Sequence, residues 1–267
     1  MVSIIWSPIY FISVIISTIC YIEGIIDFKL NNFNKGVTCV CCNWSGASFL
    51  PCPYGSEPHR KNSLCPQCGS LERHRLYFLF LKNVIQIDRK IKVLHFAPEQ
   101  SIKDLFVSYP NIEYVSTDLN RDDVTFKEDI THLSFREDSF DIIFCSHVLE
   151  HIDDDRKAMS ELYRVLKLGG FAILQVPIYE KYNEKKLEQT FEDAKITDLK
   201  MKKELFGQED HVRLYALDYK ERLTDAGFKV DVNKYSDSLD PAIVKHFALL
   251  PEGNESQTDG WIYFCTK

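Results

Sequence analysis

The chain has 267 residues, a formal charge of -7 and an isoelectric point near 5.6. A chain of this length can bury one substantial core, so we expect one main domain with attachments. The negative balance argues against broad binding to nucleic acid backbones, because such binding requires a clustered basic surface.

An uncharged stretch, residues 4–22, lies near the start of the chain. Its length is close to that of a helix that crosses a bilayer, and it lacks the basic region and small-residue cleavage site of a secretory signal. Lys29 and Lys35 follow it and no basic residue precedes it, which favours a cytoplasmic location for the rest of the chain. We predict residues 1–30 as a hydrophobic segment that anchors the protein to the cytoplasmic face of a membrane. A buried hydrophobic hairpin, or residues upstream of the true translation start, are the alternatives.

A cluster of cysteines follows this segment: of the nine in the chain, six fall between positions 39 and 68. Four of them form two C-x-x-C knuckles with the spacing of a four-thiolate zinc site. These four are Cys39, Cys42, Cys65 and Cys68. Cys41 could replace Cys39 or Cys42 as a ligand. The sequence therefore predicts a small zinc-binding head, resembling a zinc ribbon, over residues 36–70, with a structural zinc ion.

Disulfide bonds are the alternative use of these cysteines, and they would require an oxidising compartment. The odd number of cysteines favours reduced thiols, as do Cys145 and Cys265, which lie in apolar, strand-like runs.

A helix is predicted directly after the second knuckle, from Ser70 to Ile85, because its apolar residues recur at helical spacing. The polar residues 72–75 at its start favour a solvated surface over a binding site.

The remainder, residues 71–267, alternates strand-like and helix-like segments, which predicts a mostly parallel sheet covered by helices on both faces. The predicted strands are residues 92–96, 114–117, 140–145, 171–176, 229–233 and 261–265, and the predicted helices lie around 101–109, 154–166 and 218–226. A helix stop is predicted at Gly169–Gly170. In such sheets the ligand crevice lies outside the carboxyl ends of the strands.

Acidic residues follow the strands at this edge. Asp118 closes the second predicted strand, where a carboxylate can accept both ribose hydroxyls of a nucleoside cofactor. Asp129 could supply a polar contact to an adenine edge, and Ile130 an apolar wall.

Two segments carry a family resemblance. "SFDIIFCSHVLEHI" and "ELYRVLKLGGFAILQVP" resemble the class I S-adenosylmethionine-dependent methyltransferases, in particular the type 11-like branch. The resemblance implies a Rossmann-like α/β fold with a seven-stranded sheet whose last strand is antiparallel, and S-adenosylmethionine as the cofactor. It also implies a small-molecule, lipid-linked or glycan-linked methyl acceptor. The cofactor-binding residues that it implies are Phe96, Ala97, Pro98, Glu99, Asp118, Leu119, Asp129, Ile130, Ser146 and His147.

The first of these loops departs from the family. Glycines normally stand where Ala97, Pro98 and Glu99 stand here. Alanine lacks the freedom of glycine at positive φ and proline fixes φ, so the loop should be stiffer. Glu99 lies at a predicted helix N-terminus, where a carboxylate is favoured and could pair with the ammonium group of the cofactor.

Four residues are candidates for the chemistry itself: His147, His151, His211 and Arg213. His147 is the preferred general base, with His151 one helical turn later on the same face. His211 and Arg213 belong to "FGQEDHVRLY", which we interpret as a lid or substrate wall, with Arg213 as a clamp for a carboxylate or phosphate. An interdomain salt-bridge cluster is the alternative for this segment. The alternative to a methyltransferase is a degenerate, non-catalytic module whose zinc head docks protein or nucleic acid.

Overall fold

The computed structural model describes residues 36–52, 60–85, 89–182, 185–252 and 260–267. The predicted anchor, residues 4–22, lies outside these ranges. Within them, no helix combines the length and the apolar character that crossing a membrane would require.

Seven strands form the central sheet: β3 Ile91–Phe96, β4 Ile112–Asp118, β5 Phe126–Lys127, β6 Phe140–Ser146, β7 Leu166–Gln175, β12 Lys229–Asn233 and β13 Ile262–Thr266. Their spatial order is β12-β13-β7-β6-β3-β4-β5. β3 pairs in parallel with both β4 and β6, and β6 pairs in parallel with β7. β13 runs antiparallel to β7 and β12. The predicted α/β fold, seven strands with the last one antiparallel, is confirmed.

Helices cover both faces of this sheet. The bounds are α1 Glu72–Val84, α2 Gln100–Val107, α3 Asp155–Val165, α4 Leu199–Phe206, α5 Tyr219–Asp225 and α6 Pro241–His246. Apolar residues of α1 and α2 share one core with the sheet, and those of α3 and α5 share the other. The central strands β3, β6 and β7 thus contribute side chains to both cores, which explains their apolar character.

The glycine pair after α3 differs from its prediction. α3 ends at Val165 and β7 begins at once, so Gly169–Gly170 lies within the strand rather than at a helix stop. Gly169 adopts φ +76°, a conformation that favours glycine, and the pairing of β6 with β7 shifts register between Phe140 and Ile142.

Short antiparallel pairs complete the fold. β1 Val37–Thr38 pairs with β2 Ser45–Gly46 in the head. After the sheet strand β7, β8 Lys181–Tyr182 pairs with β9 Lys185–Lys186, and β10 Phe191–Glu192 pairs with β11 Arg213–Leu214.

The polar start of α1 is buried, so its interpretation as a solvated surface is wrong. Glu72, His74 and Arg75 are all buried, and Arg75 is fully so. Its guanidinium donates to the carbonyl oxygens of Ser63 and Ser70 in the head, and to those of Phe247 and Ala248 after α6. These bonds connect the head to the body. The domain boundary between residues 70 and 71 remains a prediction.

Candidate active site and cysteine cluster

The carboxyl ends of the parallel strands bring most of the predicted cofactor residues to one edge. Phe96 at the end of β3 pairs with Thr117 of β4 and Cys145 of β6. The ends of these strands and the residues after them therefore lie side by side. They are residues 97–99, 118–121 and 146–151.

Two residues at this edge adopt a left-handed backbone without being glycine. Ala97 has φ +44° and His147 has φ +55°. Their amides donate to neighbouring strands, Ala97 N–H to the carbonyl of Thr117 and His147 N–H to that of Gln175, both at 2.9 Å. Such a conformation costs on the order of 1–3 kcal/mol and is concentrated at functional sites. Ala97 thus adopts a positive φ although it lacks the conformational freedom of glycine.

Glu99 is the N-cap residue of α2, and its side chain is 17% exposed. Its Oε2 lies 2.9 Å from Nε2 of His95, which is fully buried. Burial alone would raise the pKa of Glu99, but its hydrogen bond and electrostatic interaction with His95 lower it to about 2. Glu99 is therefore a carboxylate at neutral pH, held by the strand that precedes it.

His74 of α1 reaches the same carboxylate and was not predicted as a site residue. Its Nδ1 accepts a hydrogen bond from the Leu71 amide at 3.2 Å, and its Nε2 lies 3.8 Å from Oε1 of Glu99. Burial, followed by the charge of Arg73, lowers the pKa of His74 to about 3. The imidazole is therefore neutral with its proton on Nε2, which has no hydrogen-bond partner among the described residues.

Asp118 closes β4 beside this loop. Its Oδ1 accepts hydrogen bonds from the amides of Asn120 and Arg121, at 2.8 and 3.0 Å. Arg121 in turn donates from Nη1 to the carbonyl of Pro98 at 2.9 Å, which links the two loops of the crevice. Leu119 is exposed.

The other predicted cofactor residues differ in their accessibility. Asp129 is exposed, and hydrogen bonds from Thr131 lower its pKa. Ile130, Phe96 and Ser146 are buried, and Ile130 and Phe96 belong to the sheet core.

His147 forms a pair with Glu150 in the turn after β6. Its Nδ1 lies 3.1 Å from Oε1 of Glu150, and the imidazole is 31% exposed. Burial would raise the pKa of Glu150, but the hydrogen bond from His147 lowers it, so Glu150 is ionised. An ionised carboxylate only accepts, so Nδ1 carries the proton and Nε2 is left as an acceptor.

The loop after α4 brings His211 to the same turn. Val212 N–H donates to the carbonyl of Glu150 at 3.0 Å. The rings of His211 and His151 meet edge to face at 4.7 Å, and His151 Nδ1 lies 3.2 Å from Asp210. Because residues 149–151 form a 3-10 turn, His147 and His151 contact different partners instead of sharing a helix face.

Arg213 is buried and holds this turn in place. It donates from Nη1 to the carbonyls of Leu149 and Ile152, from Nη2 to that of Asp153, and from Nε to Glu192. All three guanidinium nitrogens thus have protein partners. Arg213 therefore positions this turn, and its predicted role as a clamp for a carboxylate or phosphate would require these bonds to break.

The four predicted metal ligands lie together in the head. The sulfur atoms of Cys39, Cys42, Cys65 and Cys68 are within 4.8 Å of one another. Two of the sulfur pairs, Cys39–Cys68 and Cys42–Cys65, are separated by 3.6 Å. Zinc–sulfur bonds of about 2.3 Å place tetrahedral ligands about 3.8 Å apart, so the donor set fits zinc. Cys41 is not a member of this group.

Both knuckles have the same backbone. Asn43 follows Cys42 and Gly69 follows Cys68, each with positive φ, at +62° and +69°. The amide of each donates to the carbonyl of the first cysteine in its knuckle, at 2.8 and 2.9 Å. Side-chain hydrogen bonds from Cys41 and Cys68 hold the pKa of Cys39 well below its usual value.

Two surface clefts lie away from this edge. One of about 810 Å³ separates the head from α6, with Phe49 and Lys245 in its lining. Another of about 360 Å³ lies at the amino edge of the sheet, beside Lys90 and Asp141. We place the candidate active site at the carboxyl edge, where parallel sheets bind ligands and where the buried polar groups converge.

Part of the chain is similar to known methyltransferases. Residues 64–174 match the family model described as "Methyltransferase domain". A segment of 48 residues is 42% identical to a demethylmenaquinone methyltransferase of Bacteroides fragilis and covers 18% of this chain and 20% of that protein. The chain therefore spans about a fifth of the length of the curated relatives it matches.

Solved structures with a similar fold include an S-adenosylmethionine-dependent methyltransferase from Mesorhizobium loti. Its TM-score is 0.48 at 13% identity, with 72% of this chain and 98% of that chain covered. A second, from Archaeoglobus fulgidus, has a TM-score of 0.43 at 14% identity and covers 73% and 94%. The family match covers residues 64–174, and the strand order of the seven-stranded sheet is the one described above.

Proposed function

We propose that this protein transfers a methyl group from S-adenosylmethionine to a small-molecule, lipid-linked or glycan-linked acceptor. The position of Glu99 carries the proposal: it is an ionised carboxylate, mostly buried, in the loop beside Asp118 at the carboxyl edge of the sheet. The reaction class rests on the family match.

The two acids would hold opposite ends of the cofactor. Glu99 would bind the ammonium group of its methionine part, because the charge of Glu99 is fixed and His95 orients it. Asp118 would accept hydrogen bonds from the ribose hydroxyls through Oδ2, since the amides of its own loop occupy Oδ1. S-adenosylmethionine would supply a methyl group on a sulfonium, and alignment with the nucleophile is then the main requirement.

His147 is the proposed general base. Glu150 fixes its proton on Nδ1, so Nε2 is available to take a proton from an oxygen or nitrogen acceptor. The partial exposure of the ring allows an acceptor to approach it. His151 and His211, whose rings are in contact, would line this side of the crevice.

We also propose that the cysteine cluster binds a structural zinc ion. Cys39, Cys42, Cys65 and Cys68 would supply four thiolates, which leave no open position for a substrate. A cytoplasmic location is part of the proposal, supported by the eight unpaired cysteines of the described residues. Attachment to a membrane through residues 4–22 rests on the sequence alone.

One observation favours the alternative, a non-catalytic module that docks protein or nucleic acid through its head. The carboxylate of Glu99 already has a partner inside the protein, His95. Calorimetric titration of the full chain with S-adenosylmethionine separates the two functions. A methyltransferase should bind S-adenosylmethionine and should release S-adenosylhomocysteine when cell extract supplies the acceptor. A folded protein that does not bind S-adenosylmethionine would reject methyl transfer and favour the docking module.

A further inference from the structure

Two buried acceptor atoms near the candidate general base lack a partner within the part of the chain that the structure describes. Oε2 of Glu150 and Nε2 of His211 form no hydrogen bond among the described residues, and both residues are more than nine-tenths buried. One carboxylate oxygen of Glu150 and one ring nitrogen each of His151 and His211 lie within 4.8 Å of one another. Since buried polar atoms almost always have a partner, this corner requires an explanation.

Hydrogen bonds fix what each of these atoms can do. Nδ1 of His211 donates to the carbonyl of Phe206 at 3.0 Å, which leaves a lone pair on Nε2. Oε1 of Glu150 receives the hydrogen bond from His147, and its Oε2 carries lone pairs only. Lone-pair atoms buried in the same corner repel each other unless a cation or a donor lies between them.

We propose that Glu150, His151 and His211 form a second metal site, which binds a divalent transition ion such as Zn²⁺ or Fe²⁺. Two imidazoles and one carboxylate are a donor set that such ions prefer, and three protein ligands leave open positions on the ion. Bonds of about 2.0–2.2 Å would draw the three atoms closer together than 4.8 Å.

The surroundings of the three side chains support this assignment. Metal-binding histidines usually donate their second ring nitrogen to a carbonyl or carboxylate. His211 makes this contact with the carbonyl of Phe206, and His151 makes it with Asp210 at 3.2 Å. His147 supports the carboxylate of Glu150 in the same way. His151 is 29% exposed, so the site is open to solvent on one side.

A metal ion beside the candidate general base would have a role in methyl transfer, and this role rests on the proposed function. A metal ion with open positions can bind an acceptor oxygen and lower its pKa, which would favour methyl transfer to that oxygen. Metal binding itself does not depend on that use and can be measured without S-adenosylmethionine.

The test counts metal ions in the full chain. Wild type, E150Q, H151A and the control E209Q are equilibrated with Zn²⁺, passed over a desalting column, and analysed by mass spectrometry for zinc per chain. Glu209 is an exposed glutamate of the same loop, paired with Lys203. Wild type and E209Q should hold one equivalent more than E150Q and H151A, whatever the cysteine cluster holds. Competition with a chromophoric chelator should show at least a tenfold weaker second site in the two variants.

Equal zinc content in wild type, E150Q and H151A would overturn the second site. Because His151 is partly exposed, H151A should disturb the fold less than a change at a fully buried residue. Circular dichroism of each variant checks its fold. A chain that binds the extra ion but no S-adenosylmethionine would keep the metal site and reject the proposed methyl transfer.

Discussion

The imidazole of His95 joins Glu99 to Tyr114: its Nε2 lies 2.9 Å from Oε2 of Glu99, and its Nδ1 lies 3.1 Å from the Tyr114 hydroxyl. His95 is fully buried in β3, with the rings of Phe106 and Phe144 within 6 Å of its own. A core residue thus orients the carboxylate of the crevice. Because the partner of Glu99 cannot rotate away, the charge is held in place before a ligand arrives.

The first prediction concerns Glu99 and the methionine end of the cofactor. E99Q removes the charge and keeps the shape, so S-adenosylmethionine should bind about 10- to 100-fold more weakly, since a charged hydrogen bond contributes about 1.5–3 kcal/mol. 5′-Methylthioadenosine lacks the amino-acid part, so its affinity should change little. Calorimetric titration of both ligands measures the difference.

A matched control for this variant is D104N, on the exposed side of the same helix, where the Asp104 carboxylate accepts a hydrogen bond from Gln100. It should bind both ligands like wild type. If E99Q weakened both ligands equally, Glu99 would not be the ammonium partner.

Asp118 should behave differently, because it faces the part that both ligands share. D118N keeps the acceptor Oδ1 for the loop amides but loses the charge. S-adenosylmethionine and 5′-methylthioadenosine should both bind about tenfold more weakly, in line with the loss of one charged hydrogen bond. D122N, at a fully exposed neighbour, is the control. Unchanged affinity in D118N would remove the proposed ribose contact.

Much of the sheet could be predicted from the sequence because its central strands are buried on both faces. β6, for example, is buried along its whole length and reads as an apolar run. β5 was missed because it has only two residues, both exposed, and its place is set by pairing with β4. The paired strands β8 to β11 carry no periodic pattern either, since each has only two residues.

The candidate site was predictable in outline but not in its contacts. Asp118 and Glu99 could be identified because parallel topology brings strand ends together. The contact of His74 with Glu99 depends on how α1 packs against the sheet, which no local pattern encodes. The same holds for Arg213, whose partners lie some sixty residues earlier in the chain.

His74 predicts a pH dependence of stability. Its pKa is about 3 in the folded protein against 6.5 ordinarily, so below pH 6.5 the unfolded chain binds a proton that the folded chain does not. The free energy of unfolding therefore decreases as the pH falls from 6.5 toward 3, by about 1.4 kcal/mol per pH unit at most. Between pH 7.5 and 5, the free energy of unfolding measured with urea should fall by about 2 kcal/mol less in H74Q than in wild type. H132Q, at an exposed histidine, should follow wild type, and parallel curves for H74Q would refute the assignment.

The cysteine cluster gives a prediction with a neighbouring control. C42S removes one of the four grouped thiols, whereas C41S removes the thiol outside the group. Since a structural zinc ion contributes directly to folding, C42S should lose one equivalent of zinc and lower the free energy of unfolding by several kcal/mol, on the order expected for such sites. C41S should retain the metal and most of the stability. The reverse pattern would place Cys41 in the site.

Arg75 connects the head to the body, and this connection decides whether the head folds alone. Its guanidinium satisfies four carbonyls on both sides of the contact and stacks 4.1 Å above the ring of Phe49. R75M would leave these buried acceptors unpaired, at a cost of about 3 kcal/mol or more. The exposed pair of Arg156 with Asp225 contributes about 1 kcal/mol or less, so R156M is the control. If head and body form one cooperative unit, R75M should show a single urea transition with a lower midpoint and should release zinc to a chelator faster than wild type. A head that retained its metal while the body unfolded earlier would support separate domains on either side of residue 70.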